Sequence, residues 1–390
     1  MDKVVKNHKR KNKYLGSIFF ILICAGLGFI LGFLSNTYLE DFFQKYINNE
    51  KAYIEIFNIY ILLLIFILGY LIHIIIHEAG HLVFGLISGY KFVSFRVASF
   101  TIIKFQGKFK FKRFSIAGTA GQCLMMPPNM INGKYPFTLY NLGGVMFNLI
   151  ISILVILIAK QYSSYLSVFF ILISLGGILC ALTNGIPMKI NGVGNDAYNL
   201  LSMIKDKDAR ESFHLQLEIN GLLTEGKRLK NMPYEKFKLK EDVNYKNSLN
   251  FSKFFITYNY FLDNMDFKKA KQVLKFAESF TQYTISLNRL EWESEMLFME
   301  LIGDCNEEII EELYDKSLQK YIKASKFMVS KKRIMIAYEG LYKNDKEKSL
   351  KYLNELKDLA ENYPLKGEAE MELMLGDFLK EKLNNNNPQI

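Results

Sequence analysis

Cysteine is scarce in this 390-residue chain. Cys24, Cys123, Cys180 and Cys305 are scattered without any paired spacing, which excludes a disulfide framework and a cysteine-based zinc site. Histidine is nearly as rare, with five in all. Acidic residues vanish over a long stretch: after Glu78 none occurs until Asp196, a gap of 117 residues. Four runs, at 15–35, about 57–88, 139–159 and 165–183, are apolar and almost free of charge. Each is long enough to cross a bilayer. Against that background one stretch stands out. "IHIIIHEAGHLV", residues 72 to 83, holds three of the five histidines and the lone carboxylate Glu78 inside an isoleucine and leucine run. A carboxylate in an apolar span is costly unless something binds to it.

The formal charge of +10 would suit nucleic acid or an anionic membrane surface. The early lysines and arginines flank the apolar runs, however, and read as topology-setting charges. No nucleic-acid partner is expected. The basic segment "MDKVVKNHKRKNKY" precedes the first run. No small-residue cleavage site follows that run, so an uncleaved anchor is expected. The second run would span roughly 45 Å if helical throughout, more than a bilayer core needs, so its last turns should reach the interface or break there.

Six Lys/Arg precede the first run and eight lie between Lys91 and Lys134, whereas the segment between the first two runs is slightly acidic. The positive-inside rule then places both termini and the 91–134 segment in the cytosol of a multi-pass cell-membrane protein. Within that segment "FTIIKFQGKFKFKRF" (100 to 114) alternates apolar and basic residues around Gln-Gly. This reads as a β-hairpin with one apolar and one cationic face, lying at the interface with its lysines toward headgroups.

From about Asp206 the chain is polar with helical periodicity. "NMDFKKAKQVLKFAE" (264 to 278) and "KNDKEKSLKYLNELKD" (343 to 358) share a polar turn, a small residue at Ala270 or Ser349, and spaced leucines. They look like tetratricopeptide-type helix pairs, with an irregular helical domain as the alternative. The expected fold class is therefore mostly α. It is a polytopic transmembrane helical bundle of about four spans, with an interfacial β-hairpin and a C-terminal soluble all-helical domain. The expected divisions are 1–55 (basic N-terminus and anchor), 56–205 (membrane core), 206–383 (helical domain, open to a protein partner) and 384–390 (disordered tail).

His77-Glu78-Ala79-Gly80-His81 fits H-E-x-x-H. On a helix, positions i and i+4 share a face, so both imidazoles reach one zinc ion while the glutamate handles the proton of the attacking water. Catalytic zinc takes three protein ligands. Asp196 is the expected third, being the next carboxylate and on the same membrane face by topology. His73, one turn before His77, is the competitor, or a residue that touches the site through a ligand.

Three separated motifs resemble the site-2 protease family of intramembrane zinc metalloproteases. "HEAGH" matches its zinc motif. "GGVMFN", with Gly144 and Asn148, resembles its small-residue motif. "NGIPMKINGVGNDAYNL", with Asn184, Pro187 and Asp196, resembles its Asn-x-x-Pro…Asp-Gly motif. The resemblance covers roughly residues 55 to 205 and implies an endopeptidase acting on a substrate's transmembrane or signal-peptide helix within the lipid bilayer. It implies Zn2+ on His77, His81 and Asp196, catalysis by Glu78, and substrate contacts from Asn148, Asn184 and Pro187. Asn184 could equally be a polar cap where the span breaks.

The Asn-to-Asp spacing is longer than in the family, Ala197 follows the aspartate, and Asn191-Gly192 sits near the usual position without a carboxylate. These departures keep open a second reading, a catalytically inactive relative acting as scaffold or escort through its helical domain. A transporter is disfavoured by the absence of an internal repeat among the spans. A reporter fused after Lys382 and active only outside the cytosol is expected to stay silent; a signal would overturn the topology.

Overall fold

The computed structural model describes residues 52–114, 120–162, 165–190 and 193–385, together with 25, 26 and 28. The apolar run at 15–35 lies essentially outside the described residues, as do Asn191, Gly192 and 386–390. The chain divides into two compact units, one made of residues up to Gly89 with Pro136–Leu201, the other of Tyr90–Tyr135 with Ser202–Ile390. The division is discontinuous in sequence, because the strands of 91–126 pack on the C-terminal helices rather than extending the helical core.

The first unit is built on α1 (Ala52–Ile87), α2 (Phe137–Ala159) and α3 (Tyr165–Gly185). All three are long and apolar enough to cross a membrane, over Tyr60–Ile87, Phe137–Ala159 and Leu166–Gly185. The helix α1 runs unbroken through the H-E-x-x-H motif to Ile87. Burial is inverted relative to a water-soluble bundle. His73, Asn148, Ser152 and Ser174 are fully buried, while Leu64, Leu71, Ile153 and Leu157 are exposed. Such a surface suits lipid, with polar groups turned inward to find partners.

Glycine sets how closely the helices approach. A Cβ on Gly80 would lie 2.3 Å from the Gly143 carbonyl oxygen, and one on Gly143 would lie 2.7 Å from that of Gly80. The two backbones therefore touch, as small residues allow at membrane helix crossings. After α3 a short hairpin, β5 (Lys189–Ile190) with β6 (Val193–Gly194), leads into α4 (Asp196–Lys205).

The second unit opens with a four-stranded antiparallel sheet in the order β3-β2-β1-β4: β1 (Lys91–Val97), β2 (Phe100–Phe105), β3 (Lys108–Arg113) and β4 (Gly121–Met126). The expected hairpin is β2–β3, turning at Gln106 and Gly107, both with positive φ (48° and 77°). That conformation matches the primed turns favoured in two-residue hairpins. It is one half of a larger sheet, and its faces differ from the simple apolar-versus-cationic expectation. Register pairs Ile103 with Lys110 and Ile102 with Phe111. Thr101 and Ile103, on the lysine-bearing side, are buried. On that side Met126 and Phe105 reach Gly221 and Gly226, at and just beyond the end of α5 (Lys207–Thr224). Phe100, Phe109 and Phe111 are instead exposed, Phe111 by 81%. Phe114, just beyond β3, packs edge-on against Phe327 and Tyr363.

The remaining helices form the second unit's core. They are α6 (Ser248–Asp263), α7 (Phe267–Glu278), α8 (Ser286–Ile302), α9 (Glu307–Leu313), α10 (Lys316–Ala324), α11 (Val329–Ala337), α12 (Lys346–Asn362) and α13 (Lys366–Asn385). Asn384 and Asn385 continue α13; the rest of the tail expected to be disordered, 386–390, lies outside the described residues.

One turn recurs. Met265, Cys305 and Asn344 have positive φ. In each case the next residue, Asp266, Asn306 or Asp345, caps the following helix by accepting from a backbone N–H three residues on. The spacing is about 40 residues, within the range of helical-repeat arrays. Ala270 and Ser349, the small residues noted in the sequence, are fully buried.

The core also holds charge. Arg333 donates to Glu295 and Glu372, each at 2.7 Å, and its guanidinium lies 3.9 Å from the Phe298 ring centroid. Lys331 pairs with Glu291 at 2.7 Å and donates to the Ser294 hydroxyl at 2.8 Å. Burial, then the Glu372 and Glu291 carboxylates, push the Glu368 carboxyl up to about 8. An unfolded glutamate titrates near ~4.3, so the folded protein holds this proton more tightly. The resulting stabilisation is full below the unfolded value and is lost as pH rises through about 8. Melting of the full-length protein in detergent is expected to move to lower temperature between pH 5 and 9, with a shallower slope for Glu368→Gln. Equal slopes would exclude Glu368 as the source.

Candidate metal centre

His73, His77 and His81 recur every four residues and form one stripe on α1. The helix α2 crosses antiparallel to it and presents Tyr140, Gly144, Asn148 and Ser152, also four apart. The Gly80–Gly143 contact brings the stripes together. Facing His81, the Tyr140 carbonyl oxygen lies 2.7 Å from Nδ1. A carbonyl only accepts, so Nδ1 carries a proton, and Nε2 is the nitrogen left to bind an ion. His77 has no room on its α2 side: a Cβ on Gly144 would lie 2.4 Å from its Cε1. The second glycine of "GGVMFN" is thus what allows the imidazole to sit where it does.

Asp196 arrives from the other side. It stands in the first turn of α4, where the helix dipole favours a negative charge. Asn195, which sequence reading passed over, holds it there. The Asn195 side chain donates to the carbonyls of Thr183 (2.7 Å) and Ile186 (2.6 Å) at the end of α3. It accepts from the backbone N–H of Tyr198, three residues on, as an N-cap. The Asn195 N–H donates to the Met188 carbonyl, and the Met188 N–H donates to Asn195 Oδ1. Met188 and Asn195 are therefore clamped together, and the β5–β6 hairpin between them takes up the extra residues of the long Asn-to-Asp spacing. An Asn just before an acidic helix start was the available signal for this cap.

The three donor groups converge. His77 Nε2 lies 2.9 Å from Asp196 Oδ2, His81 Nε2 lies 3.3 Å from the same oxygen, and the two Nε2 atoms are 3.1 Å apart. The imidazole planes are nearly perpendicular, at 83°. Among the described residues this is the group of three His, Cys, Asp or Glu whose ligand atoms all fall within 4.8 Å of one another. Zinc bonds of about 2.0–2.1 Å in tetrahedral array put donors about 3.3 Å apart. The observed triangle fits that spacing, and two imidazoles with one carboxylate are a donor set zinc accepts. Burial raises the Asp196 carboxyl, but the His81 and His77 imidazoles more than reverse this and hold it well below the usual carboxylate range. It is ionised at neutral pH, as a ligand must be.

Glu78 is half-buried on α1 between the two histidines in sequence. Asn148 is fully buried, donating from Nδ2 to His77 Nδ1 at 3.2 Å and accepting at Oδ1 from His73 Nδ1 at 3.0 Å. It thus touches a candidate ligand and has no exposed atom for a substrate, since α2 aims it along the histidine stripe. His73 lies outside the donor triangle, behind Asn148. Asn184 donates to the Cys180 carbonyl at 2.9 Å, within its own helix, where α3 ends; Pro187, just beyond, is exposed. Neither is brought to the donor triangle by a hydrogen bond described here.

No family model, curated protein or solved structure matches the chain. Asp196→Asn and Gly144→Ala are each expected to weaken zinc binding by at least about tenfold, the first by removing a ligand and the second by displacing His77. Unchanged zinc stoichiometry and affinity in both would refute the centre.

Proposed function

We propose that this chain is a zinc-dependent intramembrane endopeptidase of the site-2 protease type, hydrolysing a peptide bond in or near a transmembrane or signal-peptide helix. The observation that carries the reading is the meeting of His77, His81 and Asp196 inside a unit whose three helices are apolar enough to span a bilayer. Polar ligand sets are expensive there and are retained for function.

In this reading a bound zinc ion supplies Lewis acidity toward the scissile carbonyl and makes a water acidic enough to attack at neutral pH. His77 and His81 would hold the ion through Nε2, and the Tyr140 carbonyl fixes the His81 ring by accepting a hydrogen bond from its Nδ1–H. Asp196 closes the donor set and balances charge. Glu78 takes a proton from the attacking water and passes it to the leaving amine, so it works as base and then acid. A substrate helix has its backbone groups paired internally and must unwind before a carbonyl can react. The edge strand β3, whose outer side pairs with no other strand among the described residues, suits such a segment by strand addition. Its lysines also discourage unspecific pairing. Asn184 and Pro187, at the end of α3, are the residues proposed to steady the unwound stretch. The repeated helix pairs of the second unit suit a protein partner, with both termini cytosolic by the charge bias of the loops.

Glu78→Gln separates this reading from that of an inactive scaffold. The variant is expected to keep zinc and to lose cleavage by about 10²-fold or more. Comparison of membrane proteomes from cells carrying wild-type and Glu78→Gln protein should then reveal accumulated transmembrane fragments in the second. Identical fragment profiles, with zinc retained, would reject the enzyme.

A further inference from the structure

One face of the β2–β3 hairpin is left unused by the packing of the second unit. Residues directly opposite across antiparallel strands share a face. The register pairs Phe100 with Arg113, Ile102 with Phe111 and Lys104 with Phe109, so these six side chains stand on one side of the sheet. Phe100 is 66%, Phe109 62% and Phe111 81% exposed, and Ile102 among them is half-buried. Three phenylalanines exposed side by side are not the scattered apolar residues of an ordinary water-facing surface. Cations stand at both ends of the patch. Lys104 is exposed opposite Phe109, and the Arg113 guanidinium lies 5.5 Å from the Phe100 ring centroid.

Charge constrains what meets this face. The segment from Lys91 to Lys134 contains the whole sheet and has eight Lys/Arg without a single Asp or Glu. A second copy of the chain laid on the face would set one cationic patch against another. An anionic surface suits it instead. Its place in the chain points the same way: β1 starts four residues after α1 ends (87 to 91), and α2 starts eleven after β4 ends (126 to 137). Both helices are long and apolar enough to cross a membrane. Four residues of chain reach at most about 14 Å. At a bilayer surface phenylalanines settle at the boundary of headgroups and acyl chains, while Lys and Arg meet anionic phosphates.

We propose that the face formed by Phe100, Ile102, Phe109 and Phe111 is a docking surface for the anionic headgroup region of a bilayer. The rings enter the boundary between headgroups and acyl chains, and Lys104 and Arg113 pair with lipid phosphates at the two ends of the patch. Lys108 and Lys110, exposed on the other side of β3, add to the attraction along the strand without obstructing the rings. The side that meets lipid is thus the aromatic one, whereas alternation in the sequence alone turned the lysines toward the headgroups. The free edge of β3 lies in the plane of the sheet and is a separate surface, still open to strand addition. No residue of the metal centre takes part, so this surface stands or falls apart from the protease reading.

Phe111→Trp and Phe109→Trp report on the face, because exposed side chains can be enlarged without repacking. Each full-length variant is reconstituted in vesicles of phosphatidylcholine, with or without phosphatidylglycerol, and quenched by acrylamide from water or by brominated acyl chains from lipid. The wild-type spectrum comes from the single Trp292, which is buried, and is subtracted. With phosphatidylglycerol present, brominated lipid is expected to quench the added emission by about twofold or more, and acrylamide to leave it nearly untouched. Adding Lys104→Glu and Arg113→Glu should reduce the lipid quenching, as should omission of phosphatidylglycerol. Lys110→Trp, on the other side of β3, should be quenched by acrylamide more than by lipid. Emission from position 111 that is open to acrylamide and untouched by brominated lipid would overturn the proposal, as would stronger lipid quenching at position 110 than at 111. Lipid quenching indifferent to phosphatidylglycerol and to the charge reversals would overturn it too. Shielding from both quenchers would mean that protein covers the face, a second copy where dilution in lipid removes the shielding and another part of this chain where it does not; either result overturns it.

Discussion

The backbone contact of Gly80 with Gly143 is the constraint from which the first unit follows. Without a side chain at either position, α1 and α2 meet closely enough for a backbone carbonyl, Tyr140 O, to fix one imidazole, and for Asn148 to reach another. A methyl group at either glycine would push against the opposing main chain rather than a flexible side chain. The polar stripe of α1 would then face its partner across a gap, and each imidazole would lose the bond that sets its proton. In an apolar medium a lost partner is not replaced by water.

The same economy governs how the carboxylate arrives. Asp196 is not carried by a long helix but by a short hairpin whose ends are clamped by one side chain, Asn195. That residue satisfies two carbonyls left open where α3 ends and one N–H left open where α4 begins. Helix ends expose such groups by necessity, and here their satisfaction also sets the position of the Asp196 carboxylate.

The second unit solves the opposite problem. Its core carries Arg333, Lys331, Glu295 and Glu372 in bonded pairs, where removal of one partner would strand the other in low dielectric. Its sheet leaves Phe100, Phe109 and Phe111 exposed and buries Thr101 and Ile103 on the opposite side of β2. The turn repeated at Met265, Cys305 and Asn344 shows three helix pairs built on one local device, a left-handed residue followed by a capping side chain. The first and last were visible as similar stretches. The middle one, "GDCNEEI", was hidden because Cys305 and Asn306 replace the more recognisable residues.

Sequence by itself determined the three described apolar helices, the His77–His81 pairing, the choice of Asp196 and the β2–β3 hairpin. Each rests on a local rule: hydropathy over a span, i to i+4 on one face, the rarity of carboxylates, and alternation about Gln-Gly. Tertiary structure alone decided what those residues do for one another. That Asn148 lies between two imidazoles, that Gly144 makes room for His77, and that Ser152 stands near His73 depend on an antiparallel crossing between distant segments. The sheet's outward face was likewise settled by which side the helices cover. Periodicity specifies that a face exists; only packing specifies what meets it.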